Sequence, residues 1–358
     1  MKVAIVHDWL YGGGAEKVVE QLHIMFPDAP IYTSYCSDEW RSRLDGKVIT
    51  GYLQHWPFSA FRRFLPVLRQ RWFRKLDLSQ FDLVISSSGN GEAKFVRVSK
   101  PATHICYCHT PTHFYWRKYN EYVDHPSMRP KWLARLGLKL LVKPLRKRDY
   151  KAAQKVDYFI ANSTHIQNDI KTFYGQDSTV IHPPVDVKHF VPVNGQPRKG
   201  FITVGRQVPY KRTDIIIEAC NELNAPLTVV GNGPDHNRLV KIAGPSITFK
   251  QASNAEIPEL LASAEAFIFA AEEDFGITPV ESMAVGTPVI AYKAGGALDY
   301  VIPGQTGEFF SSQNAETLAD ALKKFDGQKY SAEILKQHAQ KFSPEVFRAK
   351  LREFIESK

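Results

Sequence analysis

The chain has 358 residues, 44% of them hydrophobic and 23% charged, with 22 Gly and 22 Pro, which excludes collagen-like, mucin-like and wholly disordered chains. This is more than one small core needs and fits two domains of roughly 150–200 residues. Lys and Arg number 46 against 37 Asp and Glu, and the surplus of +9 points to an anionic partner such as nucleic acid, anionic lipid or a phosphorylated substrate. From the start of the chain the pattern is strand, loop, helix, repeated. Val3 to Val6 is a β-branched run followed by His7-Asp8, then Gly12-Gly13-Gly14, then a predicted helix from Ala15 to Met25 with Val18, Val19, Leu22 and Phe26 at helical spacing. The opening apolar run is too short for a signal-peptide core, and no stretch approaches the ~18–20 apolar residues of a spanning helix, so a cytoplasmic, soluble or peripheral chain is expected. Four scattered cysteines predict neither a disulfide framework nor a zinc site. Buried strands are expected at Pro30 to Thr33, Leu83 to Ser86, His104 to Tyr107 and Tyr158 to Ala161.

The second half repeats this grammar. Strands are expected at Gly200 to Val204, Leu227 to Val230, Ile247 to Phe249, Ala266 to Phe269 and Pro288 to Ile290, with helices at Asp214 to Glu222, Ile257 to Ala264 and Pro279 to Val285. Continuous apolar strands alternating with helices predict parallel sheets covered on both faces. Residues 182–198 carry four prolines and no helical period, and read as a linker. The expected organisation is α/β, with two doubly wound Rossmann-like domains at 1–181 and 199–335 and a ligand in a cleft between their strand ends. A terminal helix in 336–358, with Phe347, Leu351, Phe354 and Ile355 on one face, either crosses back to the first domain or stays on the second.

The densest chemistry lies at Glu273-Asp274-Phe275-Gly276-Ile277-Thr278-Pro279-Val280-Glu281. Two carboxylates stand eight positions apart across a glycine and a strand-to-helix turn. Pro279 suits a first helical turn, and Thr278 is the expected N-cap. Glu273 and Glu281 can then accept hydrogen bonds from a vicinal diol, or merely complement the helix dipole. Gly205-Arg206 ends a predicted strand and Lys211 follows, a fork of donors and a point charge suited to a diphosphate, or a solvated basic turn. Gly12 to Gly14 allow close backbone approach or form a plain turn. His109 follows a strand end, ahead of His104 and His113 as candidates.

Taken together these segments resemble the retaining glycosyltransferases of the GT-B fold, family 4 type. The E-x7-E pair, Gly205-Arg206 with Lys211, Gly231-Asn232-Gly233-Pro234, Ala284 to Ala291 and Gly295-Gly296 carry the likeness in the second half. In the first half His7-Asp8-Trp9-Leu10, Gly12 to Lys17 and Cys108-His109-Thr110-Pro111 resemble the mannosyltransferase branch that builds O-antigen and other polysaccharides, the WbaZ-like group. The resemblance implies a GT-B enzyme moving a hexose, with GDP-mannose favoured as donor and a UDP-sugar as the alternative, to a lipid-diphosphate-linked or saccharide acceptor. It implies that Arg206, Lys211, Gly13 and Gly14 hold the donor diphosphate and Glu281 the ribose. Glu273, Phe275, Gly276 and Ile277 would line the hexose, the Phe275 and Gly276 contacts being through backbone. Glu273 and His109 are the implied catalytic residues, Glu272 competing with Glu273. Members of this fold dispense with the metal-binding D-x-D, and no two aspartates here are two residues apart, so no metal and no cofactor is expected. A non-catalytic membrane- or nucleic-acid-binding protein that keeps the fold is the rival from another class.

The positive charge is concentrated. His55 to Lys75 carries +6 with no acid, and Arg129 to Lys151 carries +8 with Asp149 as the one acid, so the remainder of the chain nets −5. Aromatic and aliphatic residues interleave with the cations in both segments. Arg62, Arg63, Arg69, Arg71, Trp72 and Arg74 in the first, and Lys139, Lys143, Arg146 and Lys147 in the second, are the expected membrane-surface residues. Plain surface helices are the alternative, and nucleic acid is not the expected partner.

Overall fold

The computed structural model of the chain describes residues 1–61, 65–89, 92–124, 130–190 and 198–358. Two compact units emerge, Met1–His182 and Pro183–Lys358.

The first unit is built on seven strands, β1 (Val3–His7), β2 (Ile31–Thr33), β3 (Val48–Ile49), β4 (Leu83–Ser88), β5 (Thr103–Cys108), β6 (Tyr158–Ala161) and β7 (Ser178–Val180). They form one parallel sheet in the order β3-β2-β1-β4-β5-β6-β7, with Val3 opposite Leu83 and Leu83 opposite Thr103. β1 and β4 are buried throughout. Helices cover both faces, which is why these strands read as continuous apolar runs. The Ala15–Met25 helix turns Val18, Val19 and Leu22 inward, as its spacing predicts. The order reverses between β1 and β4, the place where open α/β sheets bind ligands.

The second unit repeats the plan with six strands, β8 (Phe201–Val204), β9 (Leu227–Val230), β10 (Ile247–Lys250), β11 (Ala266–Phe269), β12 (Val289–Tyr292) and β13 (Gly307–Phe310). All pair in parallel in the order β10-β9-β8-β11-β12-β13, so the reversal falls between β8 and β11. Val280 and Met283 of the Thr278–Ala284 helix, with Phe267, Phe275, Tyr300 and Phe342, form the core on one face. Ile215, Ile216, Ile217 and Leu318 pack the other. Both units are Rossmann-like.

One expectation about local structure needs correction. Thr278 is not the N-cap: Ile277 occupies that position, no side chain caps the helix, and Pro279 lies in its first turn. The short strands β3, β7 and β13 escape the sequence reading. The Pro344–Glu356 helix is capped by the Ser343 hydroxyl, which accepts from the Val346 N–H, and it buries Phe347 and Leu351. Seven residues of the expected linker, 191–197, lie outside the described residues.

The first basic segment is also not the uniform surface expected. Arg69 is 1% exposed, paired with Glu92 at 3.1 Å, and its guanidinium lies 4.9 Å from the centre of the Trp9 ring. Trp72 is buried, with its indole packed directly over Gly51, where a Cβ would stand 1.9 Å from Nε1. Arg69 can lie in the interior because the acid that neutralises it comes from another part of the chain. Arg71 and Arg74 are exposed, and Arg62 and Arg63 lie outside the described residues. In the second segment Arg146 is turned onto the protein. Its Nε donates to the Tyr115 carbonyl, and the guanidinium sits over the Trp116 and Tyr119 rings. Lys139, Lys143 and Lys147 are exposed.

Candidate active site

Each unit gathers its sequence-predicted residues at the carboxyl ends of its strands. In the first unit Asp8 follows β1, Gly89 follows β4 and His109 follows β5. The buried Asp8 carboxylate accepts from the Gly89 N–H and the Ala93 N–H, both at 2.7 Å, and so clamps the turn after β4 to the end of β1. A Cβ on Gly89 would lie 3.7 Å from Cβ of His109 and 3.9 Å from an Asp8 oxygen, which makes the three residues immediate neighbours. His109 is 8% exposed. Its Nε2 is 2.8 Å from the Ser87 hydroxyl, and the His7 Nδ1 contacts the same hydroxyl at 3.1 Å. Asn162 Nδ2 donates to the His109 carbonyl. The ring is thereby held by the Ser87 hydroxyl of β4, and the His109 backbone by the residue that follows β6. His104, by contrast, lies inside β5 against the Ser86 hydroxyl, and burial pushes its pKa down to about 4 against the pull of Asp157. It is a neutral core histidine, as its place in the strand pattern predicts.

The glycine loop is supported from beneath by Glu16. Its carboxylate accepts from the N–H groups of Tyr11 (3.3 Å) and Gly12 (2.9 Å), which precede the two implicated glycines. Gly12, at φ +132°, takes a conformation that side chains disfavour, and Gly14 is the N-cap of the Ala15–Met25 helix.

In the second unit Arg206 and Lys211 follow β8, the Gly231–Pro234 turn follows β9, and Glu272 to Gly276 follow β11, on either side of the reversal point. The Lys211 ammonium forms an ion pair with the Glu273 carboxylate, both groups about one-fifth exposed. Tyr210 lies in the same field: burial raises its pKa, Glu273 and Asp274 add to that, and Lys211 and Arg206 oppose it. A recess beside them is lined by Gly205, Arg206, Gln207, Lys211, Thr213 and Ala270. Gln207 is buried there, its Nε2 donating to the Gly231 carbonyl and its Oε1 2.7 Å from the His236 ring nitrogen. Sequence reasoning passed over Gln207 because its neighbours Arg206 and Lys211 carry the charge. Of the two adjacent acids, Glu273 is the one against Lys211.

Backbone packing explains the glycines of this site. A Cβ on Gly295 would stand 2.4 Å from the Glu273 carbonyl oxygen, and one on Gly296 2.3 Å from Cα of Phe275. The Gly296 N–H donates to that same carbonyl. These two glycines therefore let the loop after β12 lie flat against the acidic loop after β11. The Phe275 side chain is buried in the core, against Tyr300 and Phe342, leaving its backbone to face the loop. Gly276 has φ +86°, and a Cβ there would meet Tyr300 Oη at 2.8 Å and Phe269 Cζ at 2.9 Å. Gly276→Ala is accordingly expected to lose about 2 kcal/mol or more of stability through backbone strain and overpacking against two buried rings. Urea unfolding of the variant measures this. Glu281 lies in the first turn of the Thr278–Ala284 helix, directly after this glycine turn.

The sequence matches place this geometry in a family. Residues 12–189 match the model described as Glycosyltransferase Family 4, and residues 185–342 match that described as Glycosyl transferases group 1. The chain belongs to the group 1 and family 4 type of glycosyltransferase. This glycosyltransferase is 27% identical over 200 residues to D-inositol 3-phosphate glycosyltransferase of Mycobacterium bovis and of Mycobacterium tuberculosis. That match spans 49% of this chain and 42% of the relative, so the chain aligns with less than half the length of these proteins. Its structure is similar to Anabaena HepE in complex with UDP, at TM-score 0.73 and 17% identity over the whole of both chains. It is equally similar to sucrose-phosphate synthase of Thermosynechococcus elongatus, at TM-score 0.74 and 16% identity, covering 100% of this chain and 99% of the other. The two parallel-sheet units of this glycosyltransferase are thus those of the GT-B fold.

Proposed function

We propose that this glycosyltransferase is a retaining hexosyltransferase that moves mannose from GDP-mannose to a lipid-linked or saccharide acceptor in polysaccharide or lipopolysaccharide synthesis, at the inner face of the cytoplasmic membrane. The observation that carries the reading is the meeting of Lys211 and Glu273 at the strand-order reversal of the second unit, with Arg206 beside them. Departure of a nucleoside diphosphate develops negative charge, and fixed cations aimed at it are the usual source of rate enhancement. Arg206 and Lys211 supply those cations without a metal. Glu273 would orient the hexose and, until donor binds, keep Lys211 extended at the strand end. Glu281 would hold the ribose diol, and the backbone from Phe275 to Ile277 would line the sugar. Gly13 and Gly14 would approach the diphosphate, and His109 would face the reacting carbon and the acceptor hydroxyl. The mannosyl and WbaZ-like reading rests on the likeness of His7 to Leu10 and of Cys108 to Pro111 to that branch.

A second reading has an observation in its favour. Structures of the same fold are solved with UDP and UDP-glucose, so a UDP-sugar donor is the alternative. A thermal-shift panel separates the two. GDP and GDP-mannose are expected to raise Tm and UDP compounds to leave it unchanged; stabilisation by UDP compounds alone overturns the mannosyl reading.

A further inference from the structure

The second basic segment forms one helix, Lys131–Ala153, whose two halves differ. Its C-terminal half is anchored. Val142, Leu145, Asp149, Ala152 and Ala153 are buried, and Asp149 accepts from Lys94 Nζ (2.6 Å), Trp116 Nε1 (2.7 Å) and the Tyr174 hydroxyl (2.8 Å). None of residues 131–141 is buried. This half extends for about 16 Å at ~1.5 Å per residue.

A helix that projects into water normally shows polar residues on its solvent side. Here Trp132, Leu136 and Leu140, spaced by four, form one row, and Trp132 and Leu140 are 66% and 67% exposed. Lys139, Lys143 and Lys147 fall on the same side and are exposed as well. The one acid of the helix, Asp149, is on the opposite, buried side. An apolar row flanked by lysines, on a helix with no surface acid of its own, matches an anionic phospholipid interface, where the row enters the acyl boundary and the ammonium groups meet the headgroups. It does not match a two-fold contact with a second copy, which would bring the same lysines against one another.

We propose that the exposed N-terminal half of the Lys131–Ala153 helix docks this protein on anionic phospholipid, with Trp132, Leu136 and Leu140 as the inserted row and Lys139, Lys143 and Lys147 as the headgroup contacts. The assignment deepens the reading of a lipid-linked acceptor and rests on it for its purpose. It also divides the two basic segments, since Arg69 and Trp72 of the first are structural.

The test is co-sedimentation of the full chain with vesicles of phosphatidylcholine, alone or mixed with phosphatidylglycerol. Binding is expected only to the mixed vesicles, with a blue shift of tryptophan emission that Trp132→Phe removes. Leu136→Glu/Leu140→Glu is expected to abolish binding, and Lys139→Glu/Lys143→Glu to weaken it by about tenfold or more. Both double variants alter exposed positions, and their Tm is expected to match that of the parent. Binding that ignores phosphatidylglycerol, no binding by the parent chain, or undiminished binding of Leu136→Glu/Leu140→Glu each overturns the proposal. So does a dimer that this variant converts to monomer with vesicle binding unaltered. Thermal stabilisation of the same variants by GDP or UDP reads the donor site separately, so a failed donor reading and a failed docking surface give different results.

Discussion

Lys211→Ala is expected to lower kcat/KM by about 10²–10³-fold in a folded protein, the usual cost of removing one preorganised stabilising group from a developing anion. Lys211 follows β8, and Glu273 holds its ammonium at the site through their ion pair. Both groups retain contact with solvent, so the pair contributes little to stability and the variant's Tm is expected to lie close to the parent's. The loss falls chiefly on transition-state charge and so appears in kcat, and only the share of the contact already made to the ground-state diphosphate appears in KM. Lys211→Arg restores charge but not shape, and is expected to recover only part of the rate. Steady-state release of nucleoside diphosphate from the donor identified by the thermal-shift panel checks the magnitude. A change below about threefold would remove Lys211 from the proposed mechanism.

The largest effect on stability is expected at Asp149. Lys94 and Asp149 are 1% and 0% exposed and form a 2.6 Å ion pair. Burial works against the Lys94 ammonium, but the Asp149 carboxylate outweighs it and leaves the Lys94 pKa raised. Asp149→Ala strands this cation and deprives Trp116 Nε1 and the Tyr174 hydroxyl of their acceptor. A buried charge left unpaired costs about 3–5 kcal/mol, which for a unit of this size lowers Tm by about 10 °C. Lys94→Met/Asp149→Leu removes both charges, and is expected to lose less than Asp149→Ala does. Urea unfolding followed by tryptophan fluorescence measures both variants. A loss under about 1 kcal/mol for Asp149→Ala would show that the network does not hold the Lys131–Ala153 helix to the first unit.

The same network marks where the sequence stops being legible. β1, β6, β9 and β11 were readable because each is a mostly apolar run in a sheet covered on both faces, and β4 from its opening Leu83-Val84-Ile85. The Ala15–Met25 helix was readable from its apolar period. β3 has two residues, β7 is Ser178-Thr179-Val180, and β13 begins Gly307-Glu308. Each owes its strand form to the neighbour it pairs with, which local pattern cannot express. Charge partners are hidden in the same way. Glu92 is 23 residues from Arg69 and Asp149 is 55 from Lys94, so an acid-free segment reads as surface although part of it is neutralised from afar. At the candidate site, Arg206, Lys211, Glu273 and Glu281 were visible because the residues that follow a strand end in an α/β fold are free to carry chemistry. Asp8, Gln207 and Glu16 were not singled out for a role, because they act on backbone groups supplied by the fold: the turn after β4, the Gly231 carbonyl and the glycine loop.

In the proposed mechanism the second unit holds a nucleoside diphosphate through Glu281 on the ribose and Arg206 and Lys211 on the phosphates. Calorimetric titration of GDP and UDP into the parent chain and into Glu281→Ala tests it most directly. Saturable binding of one of them to the parent is expected, and binding at least about tenfold weaker to a variant of unchanged Tm, the loss of a bidentate charge-assisted contact. Equal affinity of the two proteins for the nucleotide, or no binding of either nucleotide to the parent, would contradict it.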